Sequence, residues 1–123
     1  MAQDARVTRT ILIVDDHADF RASARALREV EGFKVDAEAH DGASGLLMVE
    51  QHAPSVVLLD IGLPDLDGFA VADRLAALSD PPAVVLISSR ERSAYGRRID
   101  ASSARGFLPK RQLSGRALDA LLT

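Results

Sequence analysis

Apolar residues in this chain come in short dense runs, and between the runs they thin to every third or fourth position. TILIVD (10–15), SVVLLD (55–60) and PAVVLISS (82–89) are the dense ones, rich in β-branched residues and bounded by polar or turn residues. Runs of this kind predict strands buried on both faces, as in a parallel sheet. FKVDAE (33–38) alternates as a shorter strand, and RGFL (105–108) predicts the last one. Between strands, Phe20, Ala24, Leu27 and Val30 line one face of a helix over about residues 19–30, which Gly32 is placed to stop. Asp41 can cap a helix carrying Leu46, Leu47 and Val49 that ends by Pro54. Asp67 can cap another presenting Phe69, Ala72, Leu75 and Leu78, broken by Asp80-Pro81-Pro82. Residues 91–103 predict only a marginal, mobile fourth helix, because Gly96 and three serines lower its propensity and Tyr95 with Ile99 is its one apolar pair. Leu118, Leu121 and Leu122 mark a short final helix. Strict alternation of strand and helix predicts an α/β fold, (βα)5, with parallel strands and right-handed crossovers in one domain over 1–123.

Composition narrows the class without naming a function. At 123 residues, 47% hydrophobic and 27% charged, the chain has the balance of a soluble globular domain. No apolar stretch reaches the ~18 residues of a membrane span, and the start has arginines but no apolar core of a signal peptide. Without cysteine there is no disulfide, thiolate zinc site or cysteine nucleophile, and a cytoplasmic location fits. The net charge of −3 conceals an asymmetry: residues 1–88 hold 15 of the 18 acids, whereas residues 89–123 hold 8 of the 15 Lys and Arg. The plain reading is solvated helix faces, and the sharper one a basic docking surface on the C-terminal third.

The chemistry lies at the ends of the dense runs. Asp15 and Asp16 close the first, Asp60 closes the third strand, and Lys110 closes the segment GFLPK. Charged groups just past the carboxyl ends of parallel strands converge on the crevice where open α/β sheets bind ligands. Three carboxylates gathered there repel one another and call for a cation, and all-oxygen donors favour Mg²⁺. Lys110 is one of two lysines beside 13 arginines, so a compact ammonium here is selective. Each residue alone has a plainer reading: Asp15-Asp16 could cap the first helix, Asp60 could be a loop acid, and Lys110 a surface lysine. Their joint order favours the site.

At this point the chain resembles a response-regulator receiver domain, the phosphoacceptor half of bacterial two-component signalling. The resemblance rests on Asp15-Asp16, on LLDIGLPDLDG around Asp60, on Ser88 ending the fourth strand, and on Phe-x-Pro-Lys at 107–110. It implies a flavodoxin-like three-layer sandwich with strand order 2-1-3-4-5. It further implies that Asp60 is the phosphoacceptor, with Mg²⁺ on Asp16, Asp60 and the Gly62 carbonyl, and Asp15 acting through water. Lys110 would pair with a phosphoryl oxygen, Ser88 would donate its hydroxyl to the phosphoryl group, and Phe107 would be the aromatic that swings inward. The switching face would be built from the fourth helix, fifth strand and fifth helix. Arg90, two residues past Ser88, would border the phosphoryl group. The implied partners are a histidine kinase as donor and a downstream protein, with a phosphorylation-dependent homodimer as a further expectation.

Rival classes fit less well. A phosphatase of the haloacid-dehalogenase kind needs a second Asp two residues after its nucleophile, and that position here is Gly62. A dinucleotide-binding module needs a glycine-rich first turn, which DDHADF lacks. Direct nucleic acid binding is not expected of so mixed a basic surface. His17, His40 and His52 have no clustered partners in the sequence and are expected to be surface histidines. The expectation is therefore a stand-alone signalling switch that takes phosphate on Asp60 and loses it by its own hydrolysis. The alternatives are a receiver from a longer transcriptional regulator, or a receiver-like module that binds without phosphorylation.

Overall fold

The computed structural model describes residues 9–26 and 32–123. Among these, five parallel strands form one sheet: β1 (Arg9–Val14), β2 (Phe33–Ala39), β3 (Val56–Asp60), β4 (Ala83–Ser88) and β5 (Gly106–Pro109). Their order is β2-β1-β3-β4-β5, with every neighbouring pair parallel. The helices are α1 (Ala18–Ala24), α2 (Gly42–His52), α3 (Gly68–Ala76), α4 (Arg98–Ala101) and α5 (Gly115–Leu122).

Strand alternation divides the core in two. Leu12, Val14, Val57, Leu59, Val84, Leu86 and Phe107 pack against α2, α3 and Ile99 of α4. Ile11, Ile13, Leu58, Val85, Ile87 and Leu108 pack on the other side with Ala24 of α1 and Leu118 of α5. The central strand β3 is buried along its whole length, which is why its sequence is uninterrupted VVLL rather than alternating.

The caps follow the expected residues. Asp41 and Ser44 form a reciprocal capping box at the start of α2, and Asp67 accepts from the Phe69 amide at the start of α3. Asp65, in the loop after β3, also binds the α2 N-terminus, accepting from Gly42 N at 2.8 Å and Ala43 N at 3.0 Å. Those two amides hold the Asp65 carboxyl below the usual carboxylate range. The loop that leaves Asp60 is thus tied to a neighbouring helix.

Several elements differ from the sequence expectation. The fourth helix breaks into a 3-10 turn at 92–94 and the four-residue α4, with Gly96 at φ +56° between them. Leu47 points outward at 57% exposure, because Val49 and the small Gly42 and Gly45 take the inner face of α2. Leu78 lies beyond the end of α3 and is 41% exposed. Leu27 and Val30, expected on the first helix, lie outside the described residues.

Gly68 opens α3 where the chain passes back over the end of β3. A Cβ there would stand 2.6 Å from the Asp60 carbonyl oxygen and 2.6 Å from Ile61 Cα, whereas one at Gly62 would meet nothing within 4 Å. Both contacts at Gly68 are backbone and cannot move aside as a side chain could. Gly68→Ala is expected to lower stability by about 1–3 kcal/mol in urea unfolding, the usual cost of overpacking, while Gly62→Ala leaves the midpoint nearly unchanged.

Candidate functional site

The sheet registers bring the expected charged residues to one edge. Val14 pairs with Leu59, Asp60 with Ile87, and Ser88 with Pro109, so β1, β3, β4 and β5 end level with one another. Asp15 and Asp60 are buried, at 0% and 4% exposure, and Asp16 is exposed. Carboxylate oxygens of Asp15, Asp16 and Asp60, together with a ring nitrogen of His17, all lie within 4.8 Å of one another.

Lys110 is the counter-charge. Its Nζ stands 2.6 Å from Asp15 Oδ2 and 3.5 Å from Asp60 Oδ2, and 4.8 Å from the centroid of the Phe20 ring. At 2.6 Å the ammonium and Asp15 Oδ2 form a direct ion pair, and Asp15 is the nearer of its two carboxylate partners. Asp15 is otherwise held by its Oδ1, which accepts from the His17 amide at 2.8 Å. The Asp15 carbonyl accepts from Arg21 Nη1 at 2.6 Å.

Asp60 Oδ1 accepts from the Gly62 amide at 3.2 Å, so Gly62 supports the carboxylate through its backbone. Burial raises the Asp60 pKa above its ordinary value, and the neighbouring Asp15 raises it further. Lys110 and the Gly62 amide oppose that shift without cancelling it. Three carboxylates against one ammonium leave the crevice with surplus negative charge, which a divalent cation with oxygen affinity would neutralise.

His17 differs from the expectation of an ordinary surface histidine. It is exposed, but its Nδ1 lies 3.0 Å from Asp15 Oδ1, 3.3 Å from Asp16 Oδ1 and 3.3 Å from Lys110 Nζ. Donation to Asp15 needs the proton on Nδ1 and acceptance from Lys110 needs it absent, so the two contacts exclude each other. The signal available in the sequence was its adjacency to Asp16, just past the first strand. His40 and His52 sit away from the crevice beside Asp41 and Asp36.

Ser88 ends β4 and Phe107 lies within β5, the two strands beyond β3. Ser88 is buried at the end of β4, and its Oγ accepts from the Arg90 amide at 3.0 Å. The same Oγ lies 2.5 Å from the Tyr95 hydroxyl, a contact that nothing in the sequence had suggested. Phe107 is 6% exposed within the core and meets Tyr95 edge-on. The Arg90 side chain has no ion pair among the described residues, whereas Arg111 pairs with Glu91.

Comparison with known proteins agrees with this geometry. The family model described as the response regulator receiver domain matches residues 11–122. BvgA of Bordetella pertussis, named for transcription regulation of virulence factors, is 40% identical over 102 residues, covering 83% of this chain and 49% of its own length. The transcriptional regulatory protein PdtaR of Mycobacterium tuberculosis is 33% identical over 100 residues, 81% of this chain and 49% of that protein. The chain therefore spans about half the length of these curated relatives. The solved signal receiver domain of NarL from Mycobacterium tuberculosis superposes with a TM-score of 0.80 at 32% identity, covering 94% of this chain and 98% of the other.

The raised pKa of Asp60 sets a pH dependence of stability. A carboxyl whose pKa is higher folded than unfolded favours the fold below the unfolded value of about 3.9, and that contribution is lost as pH rises through the folded value. Asp60→Asn removes the cost of keeping a buried charge while leaving an oxygen for the Gly62 amide. With divalent ions chelated, its thermal midpoint is expected above wild type at pH 7. The gap is expected to close as pH falls toward about 4.

Proposed function

The chain belongs to the response regulator receiver domain family, and on that premise we propose that it is a cytoplasmic two-component switch phosphorylated on Asp60 by a histidine kinase. The observation that carries this is Lys110 lying between Asp15 and Asp60 in a crevice that holds three carboxylates. Phosphoryl transfer asks a protein mainly for positioning and charge neutralisation, and those are the two things this crevice is equipped to supply.

In the proposed step an Asp60 oxygen attacks phosphorus, forming an O–P bond as the P–N bond to the kinase imidazole breaks and that imidazole leaves with the electron pair. Asp60 Oδ1 is held by the Gly62 amide, and Oδ2 faces Lys110. The ammonium is therefore placed to follow charge from the carboxylate to a phosphoryl oxygen without moving far. Asp16, Asp60 and the Gly62 carbonyl would hold Mg²⁺, with Asp15 acting through water; the bound ion supplies neutralisation of the phosphoryl oxygens. The three carboxylates gathered within 4.8 Å of one another, with only one ammonium beside them, fit such an ion. Ser88 would donate to the phosphoryl group and Phe107 would move with it.

The output we assign is an altered face of α4, β5 and α5 offered to a protein partner, ended by hydrolysis of the aspartyl phosphate. BvgA and PdtaR are named transcription regulators, which supports a place for this receiver in gene control. Phosphorylation-dependent pairing of two chains through that face belongs to the same proposal.

Intact mass after incubation with acetyl phosphate tests the reading. One phosphoryl group is expected in the presence of Mg²⁺, none in its absence, and none on Asp60→Asn in either condition. Lys110→Ala is expected to keep metal binding and to label at least about tenfold more slowly, as when one preorganised electrostatic partner is removed. Full labelling of Asp60→Asn would place the nucleophile elsewhere.

A further inference from the structure

Tyr95 joins the 3-10 turn at 92–94 to the segment leading into α4. Its amide donates to the Arg92 carbonyl at 3.0 Å, its own carbonyl accepts from the Arg98 amide at 3.1 Å, and Gly96 follows at φ +56°. The ring is held on two sides. Phe69 of α3 and Phe107 of β5 each meet it at 6.0 Å between centroids, inclined at 67° and 61°, the edge-to-face geometry that aromatic pairs prefer. A side chain on a weakly formed element is thus anchored by its ring, and its hydroxyl is delivered to Ser88 Oγ at 2.5 Å.

The hydrogen-bonding capacity of Ser88 gives this contact a consequence. A serine hydroxyl has two lone pairs and one proton. The Arg90 amide uses one lone pair. A phenol is a stronger proton donor than an alkyl hydroxyl, so Tyr95 donates and Ser88 accepts, which fills the second lone pair. The Ser88 proton then has no acceptor in either of these partners and is left for an incoming oxygen. Phe107, which the family resemblance assigns to the switch, has no hydroxyl and cannot do this.

We propose that Tyr95 is a positioning residue for Ser88, orienting its hydroxyl as a donor to the phosphoryl group on Asp60. This rests on the reading of Asp60 as phosphoacceptor. It also makes the Ser88–Tyr95 bond the link through which events at the crevice reach residues 92–101, where only Ile99 is buried in α4.

Tyr95 is the only tyrosine in the chain, and there is no tryptophan, so intrinsic emission and near-ultraviolet absorption report on this ring with little interference. The first comparison uses no phosphodonor: wild type against Ser88→Ala. A change in emission intensity and in the absorption maximum is expected, and superimposable spectra would overturn the contact. The second compares labelling by acetyl phosphate with Mg²⁺. Tyr95→Phe keeps the ring between its two neighbours and loses only the hydroxyl; it is expected to label about three- to tenfold more slowly, the net worth of one hydrogen bond. Ser88→Ala with Tyr95→Phe should be no slower than Ser88→Ala alone. If Tyr95→Phe labels like wild type while Tyr95→Leu is slow, the ring acts only in packing and the proposal fails. If wild type takes no phosphoryl group, the underlying reading fails and Tyr95's role falls with it, and the spectral comparison still separates a failed reading from a failed contact.

Discussion

Like charge confined at one sheet edge is the constraint on which the site depends. Parallel strands that end level bring Asp15, Asp16 and Asp60 within a few ångströms of one another, two of them buried. Buried carboxylates are costly unless paired. Lys110 pairs them incompletely: it sits closest to Asp15 and leaves Asp60 with a raised pKa. The crevice is thus under-neutralised by its own residues, a property suited to receiving a cation rather than to closing the fold.

The surroundings hold that arrangement by backbone more than by side chains. The Gly62 amide fixes Asp60, the Gly68 amide bonds the Ile61 carbonyl at 3.1 Å, and Asp65 ties the intervening loop to α2. Gly68 has no room for a Cβ because the Asp60 and Ile61 backbone passes directly over it. The loop after β3 is therefore rigid where it carries the carboxylate, which suits a reaction that depends on positioning.

The opposite end of the site is built differently. Residues 89–105 contain one short 3-10 turn and a single helical turn, with many exposed arginines and few buried side chains. Weak local burial is what allows a segment to occupy two arrangements at small cost. Tyr95 and Ile99 are the exceptions within it: Ile99 is buried, and the Tyr95 ring is packed between Phe69 and Phe107 while its chain neighbours are exposed. Tyr95 thereby connects the stiff strand edge at Ser88 with a loosely held surface.

By itself the sequence determined the alternation of strand and helix, the capping roles of Asp41 and Asp67, and the placement of Asp15, Asp16, Asp60 and Lys110 at strand ends. These follow from periodicity, from cap chemistry and from the rule that parallel strands present their carboxyl ends to one crevice, all local or topological signals. It also marked residues 91–103 as a poor helix, from Gly96 and the serines. Tertiary structure alone decided that Lys110 lies nearer Asp15 than Asp60, that His17 turns into the acidic cluster, and that Leu47 faces solvent. It alone joined Ser88 to Tyr95. Those contacts depend on rotamers and on packing between separate elements, and neither leaves a period or a spacing in the chain. Where backbone pattern governs, the sequence is sufficient; where one side chain must choose among several partners, only the folded arrangement makes the choice.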